Sequence, residues 1–277
     1  MGFLSKQVWR DSRLPSEREK LRKAIYRDLS HDSNVLAFFY GGSVGKRNED
    51  VYSDLDLRVV VEEEAYEPFL QNKKDRAKNW GDVLFYEDFP WASYSIAHFR
   101  SFIKVDAFYY KKSDLLPSPY LEDLTIDYDP YGFIAELTKQ SKQLKYEFTA
   151  EDFEVWRGKF FAYLHEVYRR VHRQEYNYAF KMINDMSFSI VVGWYVVLGE
   201  VPNSFGDWSK VEGARSPLSE KQLHLLKKWD PGKRDINFLA EIINGQLDAF
   251  LSVHNSLASR LGIMVDENWI KEMIGKV

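Results

Sequence analysis

The sequence predicts an α+β chain: a small mixed β-sheet with flanking helices, followed by an all-α helical bundle. Three observations carry this expectation. Two apolar runs, 35–40 and 57–61, are separated by Gly41-Gly42-Ser43 and by Asp54-Leu55-Asp56, the pattern of strand, turn, spacer and strand. Short runs rich in aromatic and β-branched residues continue to about residue 110. Beyond Pro117, Pro119 and Pro130 the apolar residues recur at helical spacing, with no further strand signal.

The elements follow in order. Ser16-Glu17-Arg18-Glu19, just after Pro15, has the form of a capping box and starts a helix to about Leu29. Residues 35–40 form a first strand and 54–61 a second, which the acidic run 62–64 ends in water. Residues 65–80 are mixed and partly helical. Residues 83–86 form a short strand, and 93–99 and 101–110 pair as a hairpin or lie as neighbouring strands around Arg100. The prolines after Lys112, with Glu122, Asp123, Asp127 and Asp129, read as a linker. Domains are therefore expected at 1–125 and 126–277. In the second, Thr149-x-x-Asp152 is an N-cap, and Trp156, Phe160, Leu164, Val167 and Val171 share a helix face. A long apolar helix, 176–198, stops at Gly199 and Pro202. Ser216-Pro217 starts another to 226 or 229, and 236–261 supplies one more, giving a bundle.

Composition excludes several classes. A chain of 277 residues with 45% hydrophobic and 16% aromatic content can bury real cores, so it is not a disordered protein. Without cysteine there is no disulfide framework, thiol catalysis or cysteine-ligated zinc. Lys and Arg number 38 against 42 Asp and Glu, and the net charge of −4 leaves no basic footprint for nucleic acid, so a small-molecule partner is expected. Met1-Gly-Phe-Leu-Ser-Lys6 carries no apolar leader and no run reaches membrane-spanning length, so a cytoplasmic location is expected, with no membrane partner. The six histidines suggest no metal site: His165 and His172 lie seven apart on one helix face, where the neighbours are Tyr168 and Arg169 and there is no carboxylate fork.

The chemistry concentrates at residues 40–57. In a strand Asp54 and Asp56 point the same way, about 7 Å apart along the chain. Carboxylates side by side repel unless a cation lies between them, and hard oxygen ligands suit Mg²⁺ with substrate phosphates. Gly42 allows close backbone approach to a phosphate and Ser43 adds a donor. Asp-x-Asp alone is common at solvated strand ends, and Gly-Gly-Ser alone marks a turn; it is the ordered combination that points to a metal-dependent triphosphate site. Gly41 to Arg47 does not fit the P-loop spacing, because three residues separate Gly41 from Gly45 and Arg47 follows Lys46. Asp106, a charge within the apolar and aromatic run 101–110, is a third carboxylate that would be costly to bury unpaired.

Gly42, Ser43, Asp54, Asp56 and Asp106 together resemble the signature of the nucleotidyltransferase superfamily typified by DNA polymerase β. Within it the chain is most similar to the aminoglycoside 6-adenylyltransferases of the streptomycin type. Arg173-Gln174-Glu175-Tyr176-Asn177-Tyr178-Ala179, Met182-Ile183-Asn184-Asp185, Gly193-Trp194-Tyr195 and Gly199 extend that resemblance loosely into the helical half. The resemblance implies transfer of a nucleoside monophosphate, AMP from ATP, to a hydroxyl of a small acceptor such as an aminoglycoside antibiotic. It implies two Mg²⁺ ions held by Asp54 and Asp56, with Asp106 as a ligand or as general base. Gly42, Ser43 and Lys46 would bind the β and γ phosphates, and the acceptor would lie between the sheet domain and the bundle. Glu175 and Asp185 are candidate acceptor contacts, since a polycationic sugar calls for carboxylates; the alternative is a helix N-terminal charge for Glu175 and an ion pair with Lys181 for Asp185. Val44 stands where that family has Arg, with Lys46 and Arg47 as the nearest cations, so a different acceptor stays open. The competing readings are a nucleotidyltransferase acting on protein or RNA, and a non-catalytic nucleotide-binding module.

Overall fold

The computed structural model describes residues 7–87 and 89–277; the expectation drawn from segment 1–6 falls outside the described residues. Six extended runs form one sheet: β1 (Val35–Tyr40), β2 (Leu55–Val61), β3 (Val83–Glu87), β4 (Tyr94–Phe99), β5 (Lys104–Lys111) and β6 (Thr125–Tyr128), in spatial order β3-β4-β5-β2-β1-β6. Every neighbouring pair is antiparallel except β2 and β5, which run parallel. A parallel pair needs a crossover, and residues 62–103, carrying the β3–β4 hairpin, supply it. The chain divides into two compact units, Met1–Lys145 and Tyr146–Val277.

The helices of the first unit are α1 (Val8–Asp11), α2 (Leu14–Leu29), α3 (Gly42–Gly45), α4 (Tyr66–Gln71), α5 (Lys73–Ala77) and α6 (Phe133–Ser141). The expected capping box at Ser16 is not the start of α2, which begins at Leu14 with Pro15 in its first turn, where a missing N–H costs nothing. Ser16 instead donates its hydroxyl to the Arg13 carbonyl. Alternation sorts the central strands into two faces. Leu55, Leu57, Val59 and Val61 of β2, with Val105, Ala107 and Tyr109 of β5, are buried in one core with Leu21, Ile25 and Leu29 of α2 and Phe69 of α4. Each such side chain contributes about 1.5–3 kcal/mol by leaving water. On the opposite face Ala37, Phe39 and Val60 pack with Ile134 and Leu137 of α6. The β5 residues of that second face, Lys104, Asp106 and Phe108, are only half-buried, as are Asp56 and Arg58 of β2. Two polar hubs tie helices to this frame. Asp28 of α2 accepts from Arg76, Asn79 and Trp80, and the buried Lys73 donates to the carbonyls of Phe89, Ala92 and Tyr94, using all three ammonium hydrogens.

The proline-marked stretch expected to be a linker is part of the first unit. Within it β6 pairs with β1 as an edge strand, and Asp127 accepts from Arg22 of α2, whose guanidinium also lies over the Tyr40 ring. The division into compact units falls at the 145–146 junction, so β6 lies in the first unit. Its acidic residues suggested solvent; tertiary pairing overrode composition.

The second unit holds α7 (Ala150–His172), α8 (Tyr176–Leu198), α9 (Glu220–Lys228), α10 (Ile236–Leu261) and α11 (Glu267–Ile274). The predicted Thr149 cap is present, with Thr149 and Asp152 hydrogen-bonded reciprocally. Ser219, rather than Ser216, caps α9. The predicted stripe Trp156, Phe160, Leu164, Val167 and Val171 is buried against α8 and α10. Phe160 stacks on Phe250 at 3.7 Å, and a Cβ at Gly193 would fall 2.4 Å from Val253, so α8 and α10 meet too closely there for a side chain. Among the described residues no helix is long and apolar enough to cross a membrane.

His254 of α10 is fully buried against Phe153, Trp156 and Phe250, and its Nε2 has no hydrogen-bond partner. Burial holds the ring below its ordinary value of 6.5; Arg157 acts in the same direction, and Asn255 and Glu154 oppose it. The unfolded chain therefore takes up a proton that the folded bundle resists, and stability falls as pH drops below about 6.5. The midpoint of thermal unfolding, followed by circular dichroism, should fall between pH 7 and pH 5, and His254→Leu should flatten that fall.

Candidate active site

β1 delivers the chain to Gly41 and Gly42, where the single turn α3 begins. The Gly41 N–H donates to the Asp56 carbonyl at 3.0 Å, binding this turn to β2. Gly42 has φ +56°, and a Cβ there would lie 1.7 Å from Asp56 Oδ2. Glycine is thus required twice, by the left-handed backbone and by the carboxylate set against it. Gly45 has a similar spatial constraint, because a Cβ would lie 2.6 Å from the Asp123 carbonyl and 2.9 Å from that of Tyr40. Ser43 is buried within the turn and Lys46 is exposed just after it.

The spacer before Asp54 is held from below by a residue that sequence reasoning passed over. Arg18 is buried in α2, and its Nη1 donates to the carbonyls of Asp50 and Ser53 at 3.1 and 3.0 Å. Asp50 and Ser53 close the loop on themselves through a backbone N–H and a hydroxyl. The available signal was position: Arg18 interrupts the otherwise apolar stripe Leu14, Leu21, Ile25 on α2. A charged group in such a stripe needs a specific partner.

β2 and β5 bring the acids together. Their parallel register sets Asp56 directly opposite Asp106 on one face, and Asp54 precedes β2 rather than lying within it. Lys104, two residues before Asp106 and hence on the same face, places its Nζ 2.9 Å from Asp54 Oδ2 and 2.9 Å from Asp106 Oδ2. Burial works against the Lys104 charge, but the hydrogen bonds and charges of Asp54 and Asp106 outweigh it and hold the ammonium above the ordinary lysine range. For Asp106 burial is the largest influence and pushes the carboxyl above the usual carboxylate range. Lys104 pulls it down, while Asp54 and Asp56 add to the rise. Asp106 Oδ1 is buried and without a hydrogen-bond partner. Lys104 was legible as a same-face neighbour of Asp106, while its contact with Asp54, on another strand's approach, was not.

Among the described residues no three His, Asp or Glu side chains stand ready to hold a metal ion, and the Lys104 ammonium occupies the space between Asp54 and Asp106. The donor chemistry nevertheless fits a hard divalent cation: the site offers carboxylate oxygens, and one of them, Asp106 Oδ1, is buried with no partner. Glu175 and Asp185 belong to the helical unit and carry local ion pairs, Glu175 with Arg170 at 2.6 Å and Asp185 with Lys181 at 2.7 Å.

No family model matches the chain, and no curated protein matches it. Two solved structures are similar to it over most of its length. One is an aminoglycoside 6-adenyltransferase from Bacillus subtilis, at 13% identity, covering 93% of this chain and 96% of that one with a TM-score of 0.39. The other is a nucleotidyltransferase-like protein from Exiguobacterium sibiricum, at 12% identity, covering 88% of this chain and 77% of that one with a TM-score of 0.42.

The turn and the spacer can each be tested by stability. Gly42→Ala should cost about 1–3 kcal/mol in urea unfolding from backbone strain alone, with the Asp56 contact adding to it. Arg18→Met, which keeps the apolar stem, should cost about 1–3 kcal/mol because the spacer carbonyls lose a charged donor. A variant as stable as the parent would show that its contact does not hold the site.

Proposed function

We propose that the chain is a nucleotidyltransferase that transfers a nucleoside monophosphate, AMP from ATP, to a hydroxyl of a small acceptor. The observation that supports it best is the register of β2 and β5, which sets Asp56 beside Asp106 under a glycine turn, with Asp54 joined to Asp106 through Lys104. The motif resemblance of Gly42, Ser43, Asp54, Asp56 and Asp106 points the same way.

In this reading Asp54, Asp56 and Asp106 are the residues that would hold Mg²⁺. Bound there, Mg²⁺ supplies Lewis-acid activation of the attacking hydroxyl and charge stabilisation of the leaving pyrophosphate. The acceptor oxygen forms a bond to the α-phosphorus as its hydroxyl proton passes to Asp106 or to solvent, the bond from that phosphorus to the bridging oxygen of the β-phosphate breaks, and pyrophosphate carries away the electron pair. Asp106 has two uses. Its Oδ1 is an unpartnered oxygen able to bind a cation, and a carboxyl raised by burial is a better proton acceptor than an ordinary aspartate. The α3 turn, with Gly42 and Ser43, offers the close backbone approach that a triphosphate needs, and Lys46, exposed just after it, is the nearest lysine on the turn. Glu175 and Asp185 enter as acceptor contacts, each exchanging its present cation, Arg170 or Lys181, for an ammonium of the acceptor.

The test is pyrophosphate release by the purified chain with Mg²⁺, each nucleoside triphosphate in turn, and a panel of aminoglycosides, lincosamides and common hydroxylated metabolites. At least one acceptor should give release matched by a mass increase of one nucleoside monophosphate. Asp54→Asn and Asp56→Asn should each reduce it to background while the circular dichroism spectrum is unchanged. Turnover retained by both variants would overturn the assignment of the acids.

A further inference from the structure

Lys104 is placed unlike an incidental surface lysine. It is the first residue of β5, it is half-buried, and its Nζ is equidistant, at 2.9 Å, from one oxygen of Asp54 and one of Asp106. Both of those acids are expected cation ligands under the proposed function, and the inference here rests on that reading. A lysine ammonium has three hydrogens, and two of them are committed to these carboxylates. The third carboxylate, Asp56, is opposite Asp106 in the strand register and is backed by Gly42. Three carboxylates on this small area would repel one another strongly if nothing positive lay among them.

We propose that Lys104 is the resident counter-ion of this acid cluster: its ammonium holds Asp54 and Asp106 in position before a divalent cation binds, and withdraws from them when that cation enters. A divalent ion drawn to Asp54 and to the free Oδ1 of Asp106 shares both carboxylates with the ammonium, and two cations at such a distance repel. The Lys104 side chain is 34% exposed, so its ammonium has solvent to move into. Its charge is carried on a flexible four-carbon stem, and its position at the start of β5 puts it beside the turn 99–103 rather than in mid-strand. A triphosphate arriving with the divalent ion brings its own anionic oxygens, which can receive the released ammonium. Loading of the ion and of the nucleotide thereby become coupled, because the same group opposes the first and rewards the second.

The closing experiment measures Mn²⁺ binding to the full chain by titration calorimetry, with no nucleotide and no turnover. Lys104→Met should bind Mn²⁺ about tenfold more tightly than the parent or better, since a close positive charge has been removed. The double variant D54N/K104M should lose that gain. Equal or weaker binding by a folded Lys104→Met protein would overturn the counter-ion role while leaving the metal-dependent reading intact. If neither the parent nor Lys104→Met binds Mn²⁺, the metal-dependent reading falls and this inference falls with it. A second measurement needs no variant: acylation of the parent by an amine-reactive ester, followed by peptide mass spectrometry. Saturating Mg²⁺ should raise the labelling rate of Lys104 several-fold relative to Lys159 in the helical unit, and an unchanged ratio would overturn the proposal.

Discussion

The parallel register of β2 and β5 is the constraint on which the first unit depends. It sets Asp56 opposite Asp106, so one strand pair carries apolar side chains to a buried core on one face and acids to a half-open surface on the other. Like charges directly opposite each other weaken a strand pair. The chain offsets this with Lys104, whose ammonium joins Asp106 to Asp54, and with seven paired positions of register along two strands buried on the core side. The surrounding devices serve the same arrangement. Gly42 leaves room for the Asp56 carboxylate, the Gly41 N–H ties the turn to β2, and Arg18 reaches from α2 to fix the spacer that ends at Asp54.

The helical unit follows a different rule. Its core is aromatic and close-packed, and several polar groups within it find specific partners. Trp156 donates to the Ser189 carbonyl, and Gln246 donates to the Ile183 carbonyl and the Ser187 hydroxyl. Buried donors without partners would cost more than the packing gains, so these bonds specify which helix faces meet. Among the described residues three buried atoms of this unit are left without a partner: His254 Nε2 among aromatic rings, Gln246 Oε1 and Arg157 Nε. Glu175 and Asp185, by contrast, are neutralised by neighbours along the chain, through Arg170 and Lys181, within reach of any helix surface.

Much of the first unit was legible because strand alternation and turn chemistry are local. The runs at 35–40 and 57–61, the glycine turn and the hairpin of β4 and β5 all follow from residue type and spacing. The misread segments have a common cause. β6 looked like a linker because its acidic and proline neighbours suggest solvent, yet it pairs with β1 and is anchored by Arg22 across more than a hundred residues of sequence. Ser16 and Ser216 resembled caps, but the helices start where Pro15 and the Ser219–Gln222 box allow. Lys104 and Arg18 were visible as residues, but Asp54 beside Lys104 and the Asp50 and Ser53 carbonyls beside Arg18, all distant in sequence, were not.

What the sequence determined by itself is the local grammar: which runs extend, where glycine must stand, that Asp54, Asp56 and Asp106 are the acids worth weighing, and that the last part of the chain is helical. Tertiary structure decided what those acids face. The parallel pairing of β2 with β5 is closed by a crossover of some forty residues, so no local pattern could show that Asp56 meets Asp106 or that Lys104 lies between Asp54 and Asp106. Pairing energy in a sheet is non-local, whereas alternation is carried by the backbone of each strand alone. That physical difference separates the site's composition, which the sequence states, from its electrostatics, which only the fold creates.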